Sequence, residues 1–172
     1  MKKTLMMLFV ATVSVCAEPS PAELADRFYK QGIAAEKAGD PETAKEAFNQ
    51  ALALNPNHAH ARYRLGQVRI NAGAIAARGR EAKFGEVMIP KIEVDGATLQ
   101  ETIDLLAIVV ERESKGKVTP NFVMQDPTGK LSDAKITLKL NNVPARAVMH
   151  YMTTQAGAKV KFEEHAIVVS PR

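Results

Sequence analysis

The chain has 172 residues, with 23 Lys and Arg residues against 19 Asp and Glu residues and a formal net charge of +4. It contains one Cys and no Trp, and only 5% of its residues are aromatic. Removal of Lys2 and Lys3 with a leader would lower the net charge to about +2, and the remaining cations are interspersed with acids. Nucleic-acid binding requires basic side chains clustered on one face, so we predict no nucleic-acid partner.

Residues 1–17 have the three-part pattern of a secretory signal peptide. A charged start at Lys2 and Lys3 precedes an apolar run over 5–15, and small residues follow as far as Ala17. The run is shorter than the roughly 20 residues of a membrane-spanning helix. The pattern therefore predicts an exported protein that is cleaved after Ala17.

Cys16 is the only cysteine, and cleavage after Ala17 would remove it. The remaining chain could then form no disulfide and would depend on its core for stability. The alternative is cleavage before Cys16 followed by its lipidation, which would anchor the protein to a membrane. A membrane partner is expected only in that case.

Residues 21–84 are rich in Ala, Glu, Lys and Gln and have helical spacing of their apolar residues. Gly32 and Gly66 are 34 residues apart, a period typical of helix-turn-helix units that bury their apolar faces by stacking. The first unit combines an aromatic residue, a small residue, an Ala-x-x-x-Phe helix and a closing Pro, at Phe28, Gly32, Ala44, Phe48, Ala51 and Pro56. This unit resembles the tetratricopeptide repeat, although it lacks the Trp, Leu and Tyr of that pattern.

The second unit begins at Leu65-Gly66 and is degenerate. Its second helix has Arg78, Ala82 and Gly85 one period after the Ala, Phe and Ala of the first unit. Gly79 and Gly85 interrupt this helix, which indicates a flexible joint.

Residues 86–172 change to a mixed pattern of strands and helices, so the overall prediction is an α+β protein. Ile92 and Val94 alternate with charged residues as in a strand, which we expect to end at Asp95-Gly96. Thr98 and Glu101 form a capping box at the start of a helix. The later predicted features are a strand at 122–124, a turn at 126–129, a strand at 136–140, a helix starting at Pro144 and capped by Gly157, and a hairpin of 160–162 with 167–169. Ala147, Val148, Tyr151 and Met152 are expected to face inward on the second helix, and the whole forms a βαββαββ domain.

This order resembles the short N-terminal domain shared by secretins and TonB-dependent receptors. The likeness rests on the step Ile136-Thr137-Leu138-Lys139-Leu140-Asn141-Asn142-Val143-Pro144 and on Ile89-Pro90, Ile92, Thr98, Leu105-Leu106, Ala147, Val148, Gly157, Phe162 and Ile167-Val168-Val169. It implies a domain that contacts other components of a bacterial envelope. With the export signal, it places the protein in the periplasm.

No residue pattern predicts catalysis, a cofactor or a metal site. The sequence contains no nucleophile elbow and no phosphate-binding Gly-rich loop. His58 and His60 would diverge on a helix and lack further ligands, so we interpret them as a solvated pair. The adjacent Glu163 and Glu164 belong to a hairpin turn rather than a catalytic acid pair.

The candidate partner-binding residues come from the 34-residue period. The first helices of stacked repeats line a concave face, and the residues predicted there are Tyr29, Ile33, Lys37, Tyr63, Gln67 and Asn71. Tyrosine suits such a surface because it offers apolar area and a hydroxyl group. The alternative is that Ile33 and Tyr63 pack between helices. With fewer than three repeats, the groove also needs the α+β domain or a second copy to cover its open end.

The sequence thus predicts a non-catalytic, exported adaptor that binds a protein or peptide in the cell envelope. Its predicted segments are a signal peptide at 1–17, helical repeats at 21–84 and an α+β domain at 86–172. One alternative is a pilotin-like outer-membrane lipoprotein that assembles a secretion pore and is anchored through Cys16. Another is binding of a small ligand or cell-wall glycan by the α+β domain, which the scarcity of aromatic residues disfavours.

Overall fold

A computed structural model describes residues 18–127, 129, 131 and 133–172, so the predicted signal peptide and Cys16 lie outside the described residues. Three helices come first, and the rest is a mixture of strands and helices, so the α+β class is confirmed. The helices are α1 (Pro21–Lys37), α2 (Pro41–Leu54), α3 (Ala59–Gly85), α4 (Leu99–Glu113) and α5 (Ala145–Ala156). The strands are β1 (Met88–Thr98), β2 (Phe122–Met124), β3 (Lys135–Pro144), β4 (Ala158–Phe162) and β5 (Ile167–Pro171).

Strong local signals set the starts of α1 and α2. Ser20 and Glu23 form a capping box at the start of α1. Asp40 caps α2 by accepting a hydrogen bond from the Thr43 backbone N–H, and Pro41 follows at the first helical position. That hydrogen bond lowers the pKa of the Asp40 carboxyl below its usual value.

The helical core depends on the contact between Gly32 and Phe48. A Cβ atom at Gly32 would come within 2.5 Å of the Phe48 ring, and that ring is fully buried. α1 and α2 can therefore pack closely only if Gly32 has no side chain. A Cβ atom added at Gly66, one period later, would have no neighbour within 4 Å.

The turn predicted between the two helices of the second unit does not form. α3 continues through this region, with a kink at Asn71, whose φ of −105° and ψ of 15° are non-helical. In the first unit, Gly39 turns the chain with a φ of 74° and Asp40 caps the next helix. The equivalents of Asp40-Pro41 are Ala74-Ile75, which provide neither a side-chain cap nor a fixed φ. Without these signals, the chain stays helical.

The second core is built from two small sheets and two helices. β1 pairs with β3 in an antiparallel sheet, and β2, β5 and β4 form a second sheet in that order. β2 is parallel to β5, while β4 and β5 form the predicted antiparallel hairpin. α4 packs on β1, and α5 packs on β3 and β4. Phe84 from the end of α3 is buried in this core, although the predicted boundary assigned it to the helical part.

Two local predictions in this part are wrong. Asp95-Gly96 does not end the first strand, because β1 continues to Thr98 with a register shift between Val94 and Ala97. Gly96, with a φ of 64°, accommodates this bulge. Tyr151 does not face inward but is 50% exposed, since Val148, Met149 and Met152 form the buried stripe of α5. The capping box of Thr98 and Glu101 is confirmed.

Gly32 and Gly66 provide a matched test of this packing. Gly32→Ala should lower the free energy of unfolding by about 1–3 kcal/mol, because the buried Phe48 ring must move. Gly66→Ala should raise it by about 0.5–1 kcal/mol, because alanine favours the helix and meets no neighbour. Urea unfolding followed by circular dichroism measures both changes. Equal effects of the two substitutions would contradict the close packing of Phe48 on Gly32.

Candidate functional site

A cleft of about 1020 Å³ lies between α3 and the β4–β5 hairpin. Its helical wall includes Tyr63, Gln67 and Asn71, and Glu36 from the end of α1 adjoins this wall. The opposite wall consists of β4 residues 160–162 and the turn residues 163 and 164. The repeat segment and the α+β segment therefore both contribute to one concave surface.

The helical wall presents three of the predicted partner-binding residues. Tyr63, Gln67 and Asn71 follow each other at intervals of four, which places them along one face of α3. Tyr63 is 65% exposed, so its ring and hydroxyl group are available to a ligand. The Asn71 side chain donates a hydrogen bond of 3.0 Å to the Gln67 carbonyl, and this bond lies at the kink of α3.

The other three predicted residues do not line this cleft. Tyr29 packs in the helical core, with ring centroids 5.9 Å from Phe48 and 4.9 Å from His58. Ile33 is half-buried against the same core, and Lys37 is exposed near the end of α1. This cleft therefore brings together three of the six predicted residues, all from α3.

Glu36 lines the cleft and was missed in the sequence. It stands seven residues after Tyr29 and three after Ile33, so helical spacing alone could have found it. Its Oε1 atom lies 3.4 Å from Nη1 of Arg64, while Oε2 is buried without a hydrogen-bond partner among the described residues. Glu36 therefore borders the cleft through its ion pair with Arg64, while its second carboxylate oxygen is enclosed by the protein.

His58 is not the solvated residue that we predicted. Its side chain is 8% exposed, and its Nδ1 atom accepts a hydrogen bond of 3.1 Å from the Ala61 backbone N–H at the start of α3. Because Nδ1 is an acceptor, Nε2 carries the proton and donates to Asp26, 3.2 Å away. The histidine therefore caps α3 and ties it to α1. No group of three or more His, Cys, Asp or Glu side chains suited to a metal ion occurs in the described part of the chain.

The two walls of the cleft are fixed relative to each other by α3. Arg80 donates hydrogen bonds to the carbonyl oxygens of Glu163 and Glu164, at 3.2 and 2.6 Å. Gly79 packs directly on the backbone of Gly39, so that a Cβ atom there would lie 2.6 Å from the Gly39 Cα atom. The flexible joint predicted at Gly79 is therefore wrong, since this glycine is a site of close packing.

Comparison with known proteins identifies part of this arrangement. Residues 29–77 match the model of the tetratricopeptide repeat family. The tetratricopeptide resemblance of the helical part is therefore confirmed. The match extends from α1 into α3 beyond the kink, and it includes the three cleft residues of the helical wall. Neither the curated proteins nor the solved structures contain a significant match to the chain.

Tetratricopeptide repeats generally mediate protein–protein interactions, so the matched segment supports a protein-binding role. The likeness of residues 86–172 to secretin N-terminal domains stays a prediction. Among the described residues, none of the helices combines the length and the apolar character needed to cross a membrane.

The two tyrosines should respond differently to removal. Tyr29→Ala should lower the free energy of unfolding by about 1–3 kcal/mol, because the ring packs against Phe48 and His58. Tyr63→Ala should change it by less than about 0.5 kcal/mol, because the side chain is largely exposed. Thermal and urea unfolding of both variants measure the difference. A large loss of stability in Tyr63→Ala would show that this residue is structural.

Proposed function

We propose that this protein is a non-catalytic adaptor that binds a peptide segment of a partner protein in the cleft between α3 and β4. The observation that supports it is the position of Tyr63, which is 65% exposed on a concave wall within the matched repeat segment. An exposed aromatic residue on the wall of a cleft is the type of residue that contributes most to protein binding. A solvent-exposed tyrosine on a convex surface would carry no such argument.

The polar groups around Tyr63 suit a peptide better than a reaction centre. Gln67 and Asn71 supply amide groups that can both donate and accept hydrogen bonds, as a peptide backbone requires. Four of the charged residues in the cleft are engaged in two ion pairs, Arg64 with Glu36 and Lys161 with Glu163. These pairs shape the walls and leave the amides and the tyrosine to contact the ligand.

The cleft also has the dimensions of a peptide site. Tyr63 and Glu81, which both line it, are 18 residues apart on α3, which corresponds to a length of about 27 Å. An extended peptide of about eight residues has a similar length. Because Arg80 holds the hairpin against α3, the site is formed before the ligand arrives. Preformed sites lose less conformational entropy on binding.

The cellular setting of the adaptor comes from the sequence. We propose export through residues 1–17, a periplasmic location and an envelope partner of the kind contacted by secretin-like N-terminal domains. Cell fractionation and N-terminal sequencing test export and cleavage after Ala17. In the alternative, a pilotin-like lipoprotein, a radioactive fatty acid would label the wild type but not Cys16→Ser.

The binding site can be tested without knowledge of the partner. Panning of random heptapeptides displayed on phage against the full chain should select peptides whose affinity falls at least about tenfold in Tyr63→Ala. Tyr151→Ala is the matched control, because Tyr151 is also half-exposed but does not line the cleft. Fluorescence anisotropy of a labelled selected peptide measures the affinities. Peptides that bind both variants equally well would contradict the assignment of the cleft.

A further inference from the structure

β4 is an edge strand with a free side. It pairs only with β5, at the end of the sheet order β2-β5-β4. The backbone N–H of Glu163 donates to Ala166, and that of Arg172 donates to Gly157. In an antiparallel pair, residues that bond to the partner alternate with residues whose N–H and C=O groups point away. Val160 and Phe162 are therefore the residues of β4 that direct these groups to the free side.

The outward backbone groups of Val160 and Phe162 have no hydrogen-bond partner in the part of the chain that the structure describes. The neighbouring outward carbonyl, that of Ala158, accepts a hydrogen bond of 3.0 Å from the Arg172 side chain. The free edge therefore offers two donors and two acceptors over a short stretch. Clefts border this stretch, since Val160 and Phe162 line both the Tyr63 cleft and a second one near α5. The stretch is thus accessible to another chain.

The two faces of β4 differ in chemistry. Lys159 and Lys161 are exposed on one face, and Lys161 forms an ion pair of 2.8 Å with Glu163. Lys159 has no ion-pair partner among the described residues. Val160 and Phe162 lie on the other face and are half-buried at the margin of the second core. The side chains of a strand added beside β4 would lie alternately next to the lysines on one face and next to Val160 and Phe162 on the other.

This pattern selects the kind of strand that can be added. Residues directly opposite each other on adjacent strands are stabilising when their charges are opposite and destabilising when their charges are alike. A second copy of β4 would bring lysines next to lysines, which is one way in which edge strands avoid self-association. A strand with acidic residues opposite the lysines and apolar residues opposite Val160 and Phe162 would match both faces.

We infer that the free edge of β4 binds an extended segment of another protein, with alternating acidic and apolar residues, by strand addition. The inference rests on the proposed function, because the added strand would occupy the wall of the cleft opposite Tyr63. Backbone hydrogen bonds to Val160 and Phe162 would provide affinity, and the alternating side chains would provide specificity. The preference for acidic residues comes from Lys161, which lines the Tyr63 cleft, and from Lys159, which lines the neighbouring cleft near α5.

A charge-swap experiment on the full chain tests this inference. The probes are fluorescein-labelled Thr-Val-Glu-Val-Glu-Val-Thr amide and the same peptide with Lys in place of both Glu residues. We expect the wild type to bind the Glu peptide roughly 3- to 30-fold more tightly, from two opposite-charge pairs. The double variant Lys159→Glu with Lys161→Glu should prefer the Lys peptide. Equal affinity of the wild type for both peptides, or an unchanged preference in the variant, would overturn the inference.

Methylation of peptide nitrogens tests the strand geometry independently of charge. Alternate N–H groups of an added strand point at β4, so methylation of one alternating set in the Glu peptide should weaken binding at least about tenfold. Methylation of the other set should be tolerated. Equal effects of the two patterns would exclude strand addition.

The outcomes separate this inference from the proposed function. If heptapeptides selected by panning bind in a Tyr63-dependent way but neither charged probe binds, the cleft is a peptide site without strand addition. If Tyr63→Ala has no effect on any selected peptide, the proposed cleft itself is wrong. If the Glu peptide binds the wild type but binds Tyr63→Ala with unchanged affinity, the added strand makes no contact with the helical wall, which would contradict the link between the two.

Discussion

The burial of the last turns of α3 in the second core is the constraint on which the rest of the structure depends. Phe84 is fully buried there, and its ring lies 6.0 Å from Phe122 and 5.8 Å from Phe162 between centroids. Leu65 and Val68 of the same helix belong to the helical core. One helix therefore contributes to both cores, and its direction determines where the β4 edge lies relative to Tyr63.

The degenerate second unit explains why the cleft exists. In the first unit, Gly39 and Asp40-Pro41 reverse the chain, and α2 then covers α1. The second unit keeps a glycine, Gly73, at the position of Gly39 but has Ala74-Ile75 in place of Asp40-Pro41, so α3 continues and none of the described helices folds back over its outer face. Gly66 consequently has no neighbour within 4 Å, and Ile70 remains 80% exposed. The wall of α3 that carries Tyr63, Gln67 and Asn71 likewise stays open, and β4 and its turn face it from the other side.

The two proposed interactions would use different chemistry on the same cleft. The helical wall offers side chains, with Tyr63 as an aromatic anchor and amides beside it. The strand wall offers main-chain groups in a fixed spacing, with lysines on one face to select charge. A ligand that met both walls would be recognised by sequence through the first and by extended conformation through the second. Such a division would favour a short linear segment over a folded surface.

Signals that act over a few residues were predicted from the sequence, because each depends on atoms that are close along the chain. They include the capping box of Thr98 and Glu101, the cap at Gly157 and the alternation in β3. The tetratricopeptide unit was also visible, since Gly32 and Phe48 belong to a repeat whose packing is local. The tertiary structure alone decided the contact of His58 with Asp26, the packing of Gly79 on Gly39 and the free edge of β4. These features depend on contacts between distant residues, such as Arg80 with Glu163, whose distances no local pattern of residues encodes.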